Sequence, residues 1–157
     1  MPITLKCLKP KEPEFEPRTL GEHLKRYRLE RRPDQKETGQ LFGVTPWTVS
    51  NWEKGRTKPP IEILPTLLRF LGYDPFPAST SLPGRLHAKR RAMGWTIAKA
   101  ADQLGVDRSA WSDWEQGGVI LFRTHRHLVA QLLSLPTEQI DQEMRARWNR
   151  SHNTTRE

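Results

Sequence analysis

The chain has 157 residues, which is enough for one ordinary domain or two very small ones. It carries 26 Lys and Arg against 18 Asp and Glu, so its formal net charge of +8 favours nucleic acid as a partner. No apolar run approaches the ~20 residues of a membrane helix, and the first residues do not resemble a secretory signal. Cys7 is the only cysteine, which excludes an internal disulfide and a multi-cysteine zinc site. We therefore expect a cytoplasmic protein that does not contact a membrane.

The sequence contains an internal repeat, since residues 20–55 align with residues 82–117 at a constant offset of 62 without a gap. Nine of the 36 aligned positions are identical, and they fall on apolar positions, turn glycines and one pair of charges. The identical pairs are Leu20/Leu82, Leu24/Leu86, Arg28/Arg90, Gly43/Gly105, Val44/Val106, Ser50/Ser112, Trp52/Trp114, Glu53/Glu115 and Gly55/Gly117. The pattern predicts two copies of one fold.

Each copy predicts four short helices. In the first copy, three helices begin after the capping residues Thr19, Asp34 and Thr45, and a fourth covers about 61–71. Pro65 lies within the fourth helix and predicts an irregular first turn there. In the second copy, the starts are Ser81 or Pro83, then Thr96, Asp107 and Thr124.

These elements predict an all-α protein of two domains. A mobile arm at 1–18 precedes a first domain at 19–75, a proline-bearing linker at 76–80 and a second domain at 81–148 that includes a C-terminal helix. A disordered tail follows at 149–157. The one candidate strand, residues 3–5, lies in the arm.

The first copy carries a recognisable set of motifs. Gln35 begins the second predicted helix, LFGVT spans the turn up to Thr45, and TVSNWEKGR forms the next helix and its exit up to Arg56. This arrangement resembles the Cro/XRE-type helix-turn-helix regulators over about 19–72, and in outline over 81–136. The resemblance implies lambda-repressor-like domains of four to five short helices each. It also implies a prokaryotic or phage transcriptional regulator that binds double-stranded DNA at a promoter or operator without a cofactor.

The resemblance implies which residues of the first copy face DNA. Base-facing positions fall on Pro46, Trp47 and Asn51, and phosphate-facing positions fall on Gln35 and Thr45. The Asn51 amide is suited to a two-pronged contact with adenine. The Trp47 ring has two alternatives, because it can pack on a thymine methyl or a sugar, or it can fold back onto Leu41 or Pro46. Three cations of the exit are expected to contact phosphate: Lys54, Arg56 and Lys58.

An arginine and a glutamate recur in both copies, and the resemblance implies that they form an ion pair between the first and third helices. These pairs are Arg28 with Glu53 and Arg90 with Glu115. We assign both pairs to structure and not to recognition.

The second copy departs from the pattern. Ile97, Gly118 and Ile120 replace Gln35, Arg56 and Lys58, so its exit is apolar. The counterparts of the base-facing residues are Arg108, Ser109 and Asp113. Arg108 can reach guanine and Asp113 can accept from cytosine, but phosphates repel a carboxylate. Specific DNA binding and a role in weak binding or protein contacts therefore both stay open for this copy.

No catalytic or metal constellation is apparent, so we expect neither an enzyme nor a metalloprotein. The alternative function is a protein-interaction module, such as an antitoxin. It depends on Ile140, Met144 and Trp148, which form one stripe of the predicted C-terminal helix. The stripe can cover a partner protein or a second copy, or it can pack on its own domain.

Overall fold

The computed structural model describes residues 16–120 and 122–153, except for the side chains of 152 and 153. Every regular element in these ranges is helical, so the predicted all-α fold is confirmed. The chain divides into two compact units, with the boundary between Pro59 and Pro60. Most of the predicted arm, including the candidate strand at 3–5, lies outside the described residues, as do the last four residues of the predicted tail.

Within the residues described, the first unit contains three helices, and the second contains a 3₁₀ turn and six helices. The first set is α1 (Leu20–Arg31), α2 (Gln35–Phe42) and α3 (Pro46–Glu53). The second set begins with the 3₁₀ turn Ile61–Ile63 and continues with α4 (Leu64–Leu71), α5 (Leu82–Met93), α6 (Ile97–Leu104), α7 (Arg108–Glu115), α8 (Arg123–Leu133) and α9 (Thr137–Asn153).

The helix starts of the first unit are fixed by side-chain caps. The Thr19 hydroxyl accepts from the backbone N–H of Glu22, and the Glu22 carboxylate accepts from the backbone N–H groups of Arg18 and Thr19. These backbone hydrogen bonds hold the pKa of Glu22 below its ordinary value, and the bond from Arg18 has the largest effect. Asp34 and Glu37 form the same reciprocal box at α2.

Three helix boundaries differ from the sequence-based expectation or add to it. The irregular turn expected at Pro65 is the 3₁₀ turn that precedes α4, since proline cannot donate a backbone hydrogen bond. Helix α8 begins at Arg123, one residue before Thr124. Helix α9 runs through Asn153 and so occupies the first five residues of the segment predicted as a disordered tail.

The core of the first unit lies where α1 crosses α3. Leu24 and Val49 are fully buried, and Trp52 packs against Phe42 with ring centroids 6.2 Å apart. Gly21 marks the closest approach, because a Cβ at this position would overlap the carbonyl oxygen of Trp52. A glycine in α1 therefore sets how near α3 lies to it.

The core of the second unit includes the C-terminal helix. Ile140 and Met144 are buried with Trp111, and the Met144 sulfur accepts from the backbone N–H of Ile120 at 3.2 Å. The stripe on α9 is thus used within its own domain and leaves only Trp148 about half exposed. This packing buries two of the three residues on which the antitoxin-like alternative depended.

The segment that precedes α5 is anchored to it. Arg91 lies 3.8 Å from the Asp74 carboxylate, its guanidinium stacks 3.8 Å from the Phe76 ring centroid, and burial lowers its pKa. The Phe76 N–H donates to Asp74 at 2.9 Å. These contacts, together with the packing of α4 on α5, group residues from Pro60 onward with the second unit, whereas the sequence-based division placed residues up to 75 in the first domain.

Both recurring ion pairs are formed, and each joins the first helix of its copy to the third. Arg28 donates to the two Glu53 oxygens at 2.6 and 3.1 Å, and Arg90 donates to those of Glu115 at 2.6 and 2.9 Å. The Glu53 side chain is only 3% exposed. Because bidentate geometry supplies two charge-assisted bonds, the pair fixes both distance and orientation between the helices.

We predict that Glu53→Gln destabilises the protein by about 2–4 kcal/mol, because it leaves the Arg28 guanidinium without its buried counter-charge. The matched control is Glu30→Gln, which removes the exposed pair of Arg26 and Glu30 at 2.8 Å and should cost less than about 0.5 kcal/mol. Urea unfolding monitored by circular dichroism gives both values. Equal losses in the two variants would show that burial adds nothing to the Arg28–Glu53 pair.

Candidate nucleic-acid interface

Helices α2 and α3 are joined by a tight turn. Gly43 closes α2 with φ of 67°, in the left-handed region that glycine adopts without strain, and the Val44 N–H donates to the Gly39 carbonyl at 2.9 Å. Thr45 then caps α3, its hydroxyl accepting from the Thr48 N–H at 3.2 Å. The turn therefore fixes where the first residues of α3 lie.

The first turn of α3 presents an apolar surface to solvent. Pro46 is exposed, and Trp47 is 73% exposed, the largest value among the exposed large hydrophobic residues. Leu41 is also 57% exposed, so the Trp47 ring does not form a closed apolar contact with it. Of the two alternatives for Trp47, the structure favours a ring that is available to a partner.

The structure corrects the expected position of Asn51. This residue is 4% exposed, whereas the sequence analysis placed it on the solvent side of the helix. Its backbone carbonyl accepts from the Arg56 N–H at 2.9 Å, as the exit loop turns back over the end of α3. This burial argues against a base contact by the Asn51 amide.

A basic exit follows α3. Lys54, Arg56 and Lys58 are all exposed, and the left-handed Gly55, with φ of 68°, turns the chain between them. The three cations lie within five residues, so this short loop carries a dense positive charge. Such a loop suits contact with a phosphate backbone.

Two residues expected at phosphates also have structural partners. The Gln35 amide donates to the Glu53 carboxylate at 2.9 Å, which gives that buried carboxylate a third donor. The Thr45 hydroxyl lies 2.9 Å from that of Thr48, besides capping α3. The side chains of Gln35 and Thr45 thus hold α2 and α3 in place, whatever else they contact.

The corresponding face of the second unit has a different character. Arg108, Ser109 and Asp113 are all exposed along α7. The Asp113 carboxylate lies against Gly118, where a Cβ would overlap it. The exit loop is part of the core, since Ile120 is fully buried.

The sequence analysis missed the residues that hold this second exit loop. The Arg147 guanidinium donates to the Gly117 carbonyl at 2.6 Å, and Arg126 donates to the Ile120 carbonyl at 2.6 Å. Trp111 donates its indole N–H to Glu115 at 2.9 Å and so supplies the third donor that Gln35 supplies in the first unit. The sequence shows that Trp111 stands at the position of Val49 in the repeat. Only the fold shows that its indole N–H donates to Glu115.

Comparison with protein families agrees with this geometry. A model described as helix-turn-helix matches residues 24–76, and a model described as a helix-turn-helix domain matches residues 82–148. The chain belongs to the helix-turn-helix proteins. Its first domain is of the Cro/C1 type, the two domains lie in tandem, and the protein is a DNA-binding transcription regulator. Neither the curated proteins nor the solved structures gave a match.

Over the described part of this helix-turn-helix protein, no helix has the length and apolar character needed to cross a membrane. The same residues contain no group of three or more His, Cys, Asp or Glu side chains placed to hold a metal ion.

The contrast between Trp47 and Asn51 gives a paired prediction. Trp47→Ala should weaken binding to the preferred duplex about tenfold, or about 1.4 kcal/mol, and change the melting temperature little, because the ring is exposed. Asn51→Ala should lower the melting temperature by about 4–8 °C, as a loss of about 1 kcal/mol would, and keep the wild-type ratio of preferred to scrambled duplex. The preferred duplex is obtained by selection from random DNA, and anisotropy and calorimetry give the two readouts. An Asn51 variant that melts normally but loses discrimination would restore the base-reading role to that residue.

Proposed function

We propose that this regulator reads double-stranded DNA through α3 of its first domain. The observation that carries the proposal is the exposed first turn of α3, with Pro46 and Trp47, followed by the exposed cations of the basic exit. The major groove is wide enough to admit one α-helix, and a helix-turn-helix places its second helix there. Within this reading, Trp47 packs on a thymine methyl or a sugar.

Phosphate contacts give the complex its affinity and register. Arg56 and Lys58 neutralise phosphates at the exit of α3, with Lys54 beside them. The other phosphate-facing residues of the proposal are Gln35 and Thr45, at the starts of α2 and α3. These contacts carry no base information, so they support binding to any duplex.

The second domain adds affinity or contacts in this proposal. Arg108 is exposed at the start of α7 and is suited to guanine or phosphate. Asp113 on the same helix is repelled by phosphate. Because the two domains differ at every proposed base-facing position, a site read by both would be asymmetric and not palindromic.

We expect the double variant Arg56→Ala/Lys58→Ala to weaken binding to all duplexes and to lower the slope of log K against log salt by about 2, since each phosphate contact releases about one counterion. The control Arg145→Ala/Arg150→Ala removes two exposed charges from α9, so both variants lower the net charge of +8 equally. Titrations at several salt concentrations give the slopes. If the two variants reduce the slope equally, net charge and not the basic exit accounts for binding.

A further inference from the structure

A cleft in the second domain has no part in the proposed reading of DNA through α3. It has a volume of about 600 Å³ and lies where the end of α6, the exposed face of α7 and the start of α8 meet. Its lining includes three carboxylates and three aromatic or imidazole rings: Asp102, Asp107, Asp113, Trp114, Phe122 and His125. We call this feature the α7 cleft.

The repeat shows that the acidity of the α7 cleft is particular to the second copy. Gln40, Thr45 and Asn51 occupy the positions of its three carboxylates in the first copy, and all three are neutral. Between residues 81 and 136, the only other acidic residue is Glu115, which is committed to its ion pair with Arg90. The acidic side chains that this copy does not use in its ion pair are thus gathered at one cleft.

Stability of the helices does not account for two of these carboxylates. Asp102 and Asp113 lie in the last turns of α6 and α7, where the helix dipole disfavours negative charge. Asp107 is the N-cap residue of α7, where the dipole favours its charge, although its side chain makes no capping hydrogen bond. Among the residues that the structure describes, no side-chain hydrogen bond or ion pair occupies any of the three.

The rings supply a second kind of surface in the same cleft, which Phe122 and His125 present to solvent while Trp114, only 5% exposed, packs behind them. Trp114 and His125 lie with ring centroids 5.7 Å apart, and Phe122 meets His125 edge-on at 5.3 Å. Phe122 is 65% exposed although it is a large apolar side chain. Aromatic faces beside carboxylates are the combination that binds guanidinium and ammonium groups. The same carboxylates repel phosphate, so the cleft itself favours a cationic ligand over nucleic acid.

We propose that the α7 cleft docks a cationic segment of a partner protein, with an arginine or lysine side chain held between the carboxylates and the rings. This inference deepens the role in contacts given to the second domain under the proposed function, and it rests on that part of it. The helix that in the first domain faces DNA would in the second domain face a basic polypeptide.

The test uses the full chain and a fluorescein-labelled hexa-arginine peptide, without DNA. The cleft variant is Asp102→Asn/Asp113→Asn, which preserves side-chain shape. The control is Glu62→Gln/Glu138→Gln, which removes two exposed carboxylates outside the cleft. We expect saturable binding that the cleft variant weakens at least tenfold and that the control changes less than twofold. Phe122→Ala should weaken binding several-fold without altering net charge.

Nuclear magnetic resonance locates the peptide, since its addition should shift the Trp114 indole and the Phe122 amide signals. Non-saturable binding, equal weakening in cleft variant and control, or shifts confined to other residues would each overturn the proposal. A cleft variant that gains several-fold affinity for duplex DNA, with peptide binding unchanged, would place nucleic acid at this face instead. Failure of the peptide assay leaves the role of α3 intact, because that role is tested separately by the salt dependence of the Arg56 and Lys58 variant.

Discussion

A buried arginine–glutamate pair between the first and third helices is the constraint on which each domain depends. The carboxylate of Glu53 or Glu115 is removed from water, so it must receive several well-placed donors to be tolerated. The arginine supplies two in each case, and a further residue supplies the third: Gln35 in the first domain and Trp111 in the second. The third helix of each copy is therefore held by the same charge pair, although the residue that supplies the third donor has changed.

Because the arginine–glutamate pair lies inside each domain, residues on the outer faces of α3 and α7 can differ between the two copies without loss of the fold. The first domain follows its helix with an exposed basic loop. In the second, the equivalent loop enters the core through Ile120 and is tied by Arg147 of α9. Helix α9 is long enough to bring Arg147 to the loop that follows α7. This loop has no cations of its own, and the Arg147 guanidinium holds it in place.

Sequence reasoning succeeded where the physical cause was local. Caps at Thr19 and Asp34 act within three residues, and the repeat brought each arginine together with its glutamate. It could not supply what distant contacts decide. The burial of Asn51 depends on how the chain folds around the end of α3, and the grouping of residues from Pro60 onward depends on α4 and Arg91 packing at α5. No spacing pattern along the chain contains that information.

The net charge of +8 includes two regions of opposite character, the basic exit that follows α3 and the acidic α7 cleft. A carboxylate near a phosphate lowers affinity for every duplex, whatever its base sequence. On the proposed division of roles, Asp113 therefore does not select between bases. It disfavours nucleic acid of any sequence and favours a cationic polypeptide. On these proposals, a basic exit on one copy and an acidic cleft on the other would let a single chain hold DNA and a basic protein segment without the two competing for one face.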